Sequence, residues 1–230
     1  MTAQIRIPAG ATQLDGTLTV PDEAKTLVLF VHGSGSSRHS PRNQFVARTL
    51  NDAGLATLLF DLLTRDEESI DSYTAQFRFD IALLAERLLH ATNWAGEHGA
   101  TRELRIGYFG SSTGGAAALV AAAELPQNVI AVVSRGGRPD LAGDALIKVR
   151  APTLLIVGGK DEMVIELNEQ AQRTGATRNA DTSKAGNNPG SNPSVRRGRH
   201  LSSGRESCDY LVSSSQRAAT RVRPQPLPRA

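Results

Sequence analysis

Cysteine is almost missing from these 230 residues: Cys208 stands alone. A single thiol closes no disulfide within the chain, so a small domain held together by cystines is excluded and a reducing, cytoplasmic setting is expected. No stretch is apolar for long enough to form a membrane-spanning helix, and the opening residues MTAQIRIPAG contain no apolar signal-like core. No membrane partner is therefore expected. Acidic and apolar residues are both scarce, but in one part only. Residues 173–230 hold ten Arg and one Lys against three acids, a net of +8, whereas residues 1–172 hold 15 basic and 20 acidic side chains, a net of −5. The overall charge of +3 therefore describes neither part. The same 58 residues contain six Leu, Ile, Val or Phe, about 10%, which is too few for a core. The chain thus divides into one α/β domain over 1–172 and a basic tail over 173–230 that is expected to be disordered.

Residues 1–172 alternate between two kinds of apolar pattern. Residues 4–7 and 13–20 predict an antiparallel pair, with Pro8-Ala9-Gly10 beginning the turn. TLVLFV at Thr26–Val31, residues 56–62, residues 104–109, Val129–Val133 and Thr153–Val157 are continuous apolar runs, as in strands buried on both faces of a parallel sheet. Helical spacing lies between them: residues 42–53 with Phe45, Val46 and Leu50; a long stretch from Ser72 to about His98; an alanine-rich stretch after residue 112; and residues 162–172. Alternating strands and helices predict a mostly parallel sheet with helices on both faces.

One stretch carries chemistry. LRIGYFGSSTGGAAALV at Leu104–Val120 reads as a strand, a tight turn and a helix, and the turn contains Gly110-Ser111-Ser112-Thr113-Gly114, a G-x-S-x-G pattern. A serine at the tip of such a turn is held in a strained backbone conformation, and glycines two residues to either side remove side chains that would collide there. The hydroxyl of Ser112 then stands above the positive end of the helix, where a developing oxyanion is favoured.

Taken with His32-Gly33 after the first buried strand and Gly158-Gly159-Lys160-Asp161 after a late one, this elbow resembles an α/β-hydrolase of the small dienelactone-hydrolase-like group over residues 1–172. The resemblance implies Ser112 as nucleophile, backbone N–H groups of Ser34 and Thr113 as the oxyanion hole, and Asp161 as the acid of a triad. It implies no metal and no organic cofactor. On the residues alone, Asp161 also reads as an N-cap of the helix that follows, and Asp61, after its own strand, is a weaker candidate for the acid that reads rather as a cap or turn residue. A serine at the elbow, where true dienelactone hydrolases have cysteine, is a departure from that group.

The triad base is what the chain lacks. The order implied is Ser, acid, His. His32, His39, His90 and His98 precede Asp161, and His200 follows it within VRRGRHLSSGRE, where no strand fixes its position. The resemblance implies a further strand and a loop of the form PGATHLFEE after residue 172. Codons permitted for Lys184 to Leu201, read from each second base, include KLEIIPGATHLFEEAGTL without a break. The tail is therefore expected to be a frameshifted translation with the slip between about Gln172 and Lys184. The fold would then lack its last strand and helix, leaving the strand Thr153–Val157 as an open edge.

The expected function is that of a serine hydrolase acting on small-molecule ester, thioester or lactone substrates, impaired by the missing histidine. The alternatives are a non-catalytic binding protein of this fold and a basic-tailed polyanion binder. Tyr210 is the only aromatic residue in 173–230, so the interleaving that nucleic-acid binding favours is absent and no specific nucleic-acid partner is expected.

Overall fold

The computed structural model describes residues 1–173 and 181–185. The chain runs β1 (Thr2–Ala9), β2 (Thr12–Thr19), β3 (Thr26–Val31), α1 (Pro41–Asp52), β4 (Ala56–Phe60), α2 (Arg65–Thr74), α3 (Ile81–Glu97), β5 (Arg105–Ser111), α4 (Thr113–Glu124) and β6 (Val129–Arg135). A 3-10 segment (Pro139–Lys148), β7 (Thr153–Gly158), α5 (Glu162–Arg173) and β8 (Asp181–Ala185) follow. The strands form one sheet in the order β1-β2-β4-β3-β5-β6-β7-β8. Pairing is antiparallel at β1–β2 and β2–β4 and parallel at every other neighbour.

The mostly parallel sheet with helices on both faces follows from the apolar runs. In β3, Leu27, Leu29 and Val31 pack with α3 and α4 on one face, while Val28 and Phe30 pack with Val46, Ala47 and Leu50 of α1 on the other. Both sets are almost wholly removed from water. Burial of each Leu-sized side chain contributes about 1.5–3 kcal/mol before entropy is charged. The alanines of α4 let that helix lie close over the sheet, directly behind the elbow. Phe45, grouped by spacing with Val46 and Leu50, stays 59% exposed.

Three expectations need correction. Pro8 is not in the turn: it lies inside β1 opposite Gln13, and the two-residue turn is Gly10-Ala11, with Gly10 at φ 65. β1 is the outer strand of the sheet, where a residue without an N–H is tolerated. The long helix from Ser72 is two helices. Thr64 and Glu67 form a reciprocal capping box that starts α2, and Ala75 ends it in the left-handed region at φ 57. The buried Asp71 carboxylate then takes the N–H groups of Phe77 and Arg78 and the Arg78 Nε, holding the chain out of the helix until Asp80 caps α3. Finally, β7 is not an open edge. β8 pairs with it from Leu154–Asp181 to Gly158–Ala185. A row of unpaired main-chain groups accepts an extended segment whatever its side chains, and DTSKA fills that place. The strand expected to be lacking is thus occupied. Arg173 ends α5 and residues 181–185 form β8, so the disorder expected over 173–230 does not hold there; for the rest of the tail that expectation, with the last helix and His200, lies outside the described residues.

Candidate active site

Parallel strands deliver their ends to one edge of the sheet, and the residues of interest converge there. β5 ends at Ser111 and α4 begins at Thr113, leaving Ser112 alone in the turn at φ 51 and ψ −125. A side chain in that region costs about 1–3 kcal/mol and persists only where its surroundings enforce it. Here they do. The Ser112 carbonyl accepts the N–H of Gly115 at 3.0 Å and of Arg138 at 3.2 Å. A Cβ on Gly110 would stand 2.6 Å from the Gly114 carbonyl oxygen, and one on Gly114 would collide with the carbonyl oxygens of Val31 and His32. Both glycines of the pattern are therefore needed for the close approach of α4 to β3 and β5.

A further contact holds the turn from behind. Asn168, fully buried on α5, donates its amide to the Gly137 carbonyl at 3.0 Å and to Val164 at 2.7 Å. The next residue, Arg138, is the one whose N–H reaches Ser112. Asn168 was not singled out in the sequence, where a polar residue at an inward helical position was its one signal.

The loop after β3 passes directly over the elbow. A Cβ on Gly33 would lie 2.7 Å from the Ser112 Cβ, so only glycine fits there. Ser34 follows, and its hydroxyl is 3.3 Å from that of the buried Thr113. The structure thus brings Ser34, Thr113 and Ser112 together. His32 is committed elsewhere. Its Nδ1–H donates to the Gly33 carbonyl at 3.0 Å and its Nε2 accepts the Leu62 N–H at 3.0 Å, the tautomer those partners require. Burial is the main cause that lowers its pKa, outweighing the nearby Asp61.

Asp161 lies at the same sheet edge, after β7, but its exposed carboxylate accepts the Val164 N–H at 3.2 Å and caps α5. No hydrogen bond among the described residues joins it to a histidine or to Ser112. His90 faces Glu86, His98 stacks on Trp94, and His39 is exposed in the loop before α1. Asp61 forms a tight ion pair with Arg38, which also reaches Asp15, so its role is structural.

Two hollows meet at Ser34. A smaller, partly open pocket of about 110 Å³ lies beside the loop, lined by His32, Leu62, Leu63, Leu84 and Thr113 among others. An open cleft of about 870 Å³ lies on the other side, over Ser112, with Arg42, Asn43, Arg135 and Gly158 in its walls. Arg135 ends β6 beside Ser111, donates to Asn43 Oδ1 at 3.3 Å and lies 5.6 Å over the Phe109 ring. Partial burial first, and the charge of Arg42 second, lower its pKa from the ordinary arginine value. Its signal in the sequence was the charged residue closing the apolar run VIAVVSR, at the edge where α/β sheets place their ligands.

A sheet of this order with a strained serine between strand and helix defines an α/β-hydrolase fold. Residues 14–183 match the family model described as the dienelactone hydrolase family, and the chain belongs to that family. A dienelactone hydrolase from Anabaena variabilis is 48% identical and superposes with a TM-score of 0.79, over 96% of this chain and 95% of that one. Est1E from Butyrivibrio proteoclasticus, at 15% identity, has a TM-score of 0.67 over 94% of this chain and 97% of its own, and it shares the fold. A protein of Mycobacterium tuberculosis that carries the provisional name phosphoribosyl transferase is 57% identical over 169 residues. That match covers 74% of this chain, and the chain spans 37% of that relative's length.

Proposed function

We propose that this chain is built as a serine hydrolase of carboxylic ester, thioester or lactone bonds, with Ser112 as the nucleophile. The observation that carries this reading is the backbone of Ser112, held at positive φ by the glycines around it, by Arg138 and by the loop at Gly33. Such strain is retained where it aims a reactive side chain. Attack by the hydroxyl on a carbonyl would form a tetrahedral oxyanion, and the N–H groups of Ser34 and Thr113 are its donors on this reading. Loss of one such donor typically costs about 3–4 kcal/mol of barrier. Asp161 is the acid, in a resting arrangement that caps α5 and would turn to an imidazole when one is present.

The imidazole itself has no source among the described residues. Its absence fits a frameshifted tail, since the codons permitted for this sequence include, in the alternative frame, a histidine in the expected loop. The chain as given is then an impaired catalyst. A fluorophosphonate followed by peptide mass spectrometry tests the nucleophile. The expected adduct is on Ser112 and is lost in Ser112→Ala; an adduct that survives the substitution refutes the assignment.

A further inference from the structure

Among the described residues, the cleft beside Ser112 is lined by two arginines and no carboxylate. Seven arginines of the described residues are ion-paired with a carboxylate: Arg6, Arg38, Arg78, Arg87, Arg102, Arg138 and Arg173. Arg42 and Arg135, which face the cleft, are in none of these pairs, and among the described residues its walls contain no Asp or Glu. Arg135 spends one N–H on Asn43 and has the rest of its fork free of any carboxylate. It is also held in place, by that bond and by the Phe109 ring, rather than waving in solvent. Arg42 stands at the exposed start of α1 facing the same cleft, and two like charges on one cleft repel until a ligand of opposite charge neutralises them. α1 adds its N-terminal end, with no acid in its first turn.

We propose that Arg42 and Arg135 form a subsite for a phosphate monoester, so that the substrate is a phosphorylated ester. Its phosphate lies in the larger cleft and an apolar group in the smaller pocket. Two guanidinium groups match a dianion better than a carboxylate or a phosphodiester, each of which neutralises only one of them. The smaller pocket presents mostly apolar surface, with Leu62, Leu63 and Leu84 in its walls, so the group it accepts is apolar. The placement of the ester at Ser112 rests on the hydrolase reading; the phosphate subsite itself does not.

Calorimetric titration of the full chain with methyl phosphate at low ionic strength and pH 8, where the ligand is a dianion, tests the subsite. Saturable one-to-one binding is expected, weakened about 10-fold or more by Arg42→Gln and by Arg135→Gln. Arg196→Gln in the basic tail should leave it unchanged. Acetate and dimethyl phosphate should bind at least about 10-fold more weakly. Should Arg135→Gln fail to fold, Arg42→Gln on the exposed face of α1 carries the test alone. The proposal is overturned if methyl phosphate does not bind, if neither cleft variant weakens it, if Arg196→Gln weakens it as much, or if acetate or dimethyl phosphate binds as tightly.

Discussion

Replacing Ser112 by glycine should make this protein more stable than replacing it by alanine. Both changes remove the hydroxyl, so their difference isolates the backbone. At φ 51 and ψ −125 an alanine Cβ suffers the same strain as the serine, whereas glycine adopts that region freely. The strain relieved is about 1–3 kcal/mol. Glycine also gains freedom in the unfolded chain, which takes back about 0.4–1 kcal/mol. The net expectation is that Ser112→Gly exceeds Ser112→Ala by about 1 kcal/mol, or about 2–4 °C in Tm for a chain of this length. Urea unfolding of the two variants side by side, with equal slopes, measures it. A glycine variant less stable than the alanine variant would refute a strained elbow, and with it the physical argument for why a serine stands there.

Other substitutions probe the support around the elbow. Gly114→Ala places a Cβ against the Val31 and His32 carbonyl oxygens and should cost about 1–3 kcal/mol or more in thermal unfolding, whereas Gly96→Ala, with open space on the exposed side of α3, should stabilise by about 0.5–1 kcal/mol. Asn168→Leu removes the donor to Gly137 and should lower unfolding stability by about 1–3 kcal/mol. It should also slow fluorophosphonate labelling of Ser112. The neutral His32 should resist protonation: its folded pKa lies below the ordinary 6.5, so the stability it confers is complete above that pH and is lost as pH falls below it. Its imidazole proton resonances should not titrate near pH 6.5, and a normal titration there would show that its two hydrogen bonds are not kept.

Much of this was readable from residue types, because the signals were strong and local. The buried runs at β3, β4, β6 and β7 have no polar face, and the Gly-x-Ser-x-Gly turn needs its strand and helix on either side. The readings that failed were those in which a side chain competes with the backbone. Asp71 breaks a helix that apolar spacing alone would continue through Ile81. Pro8 marks an outer strand rather than a turn, which depends on where β1 lies in the sheet. β8 forms through main-chain bonding with β7, to which apolar patterning is blind. The same limit applies to the site. Ser34, Ser112 and Thr113 are neighbours of glycine motifs and could be named. Arg135 and Asn168 act across the sheet edge, through partners about 90 and 30 residues away, and no local pattern contains them.

The central claim is that residues 1–172 carry a serine-hydrolase site that lacks only its base. Its most direct test is the rate at which a fluorophosphonate labels Ser112 in the present chain and in one whose codons after about Gln172 are read in the alternative frame. The restored chain should react at least about 10³-fold faster, with both adducts on Ser112. Equal rates in the two chains, or an adduct on any other residue, would contradict the account.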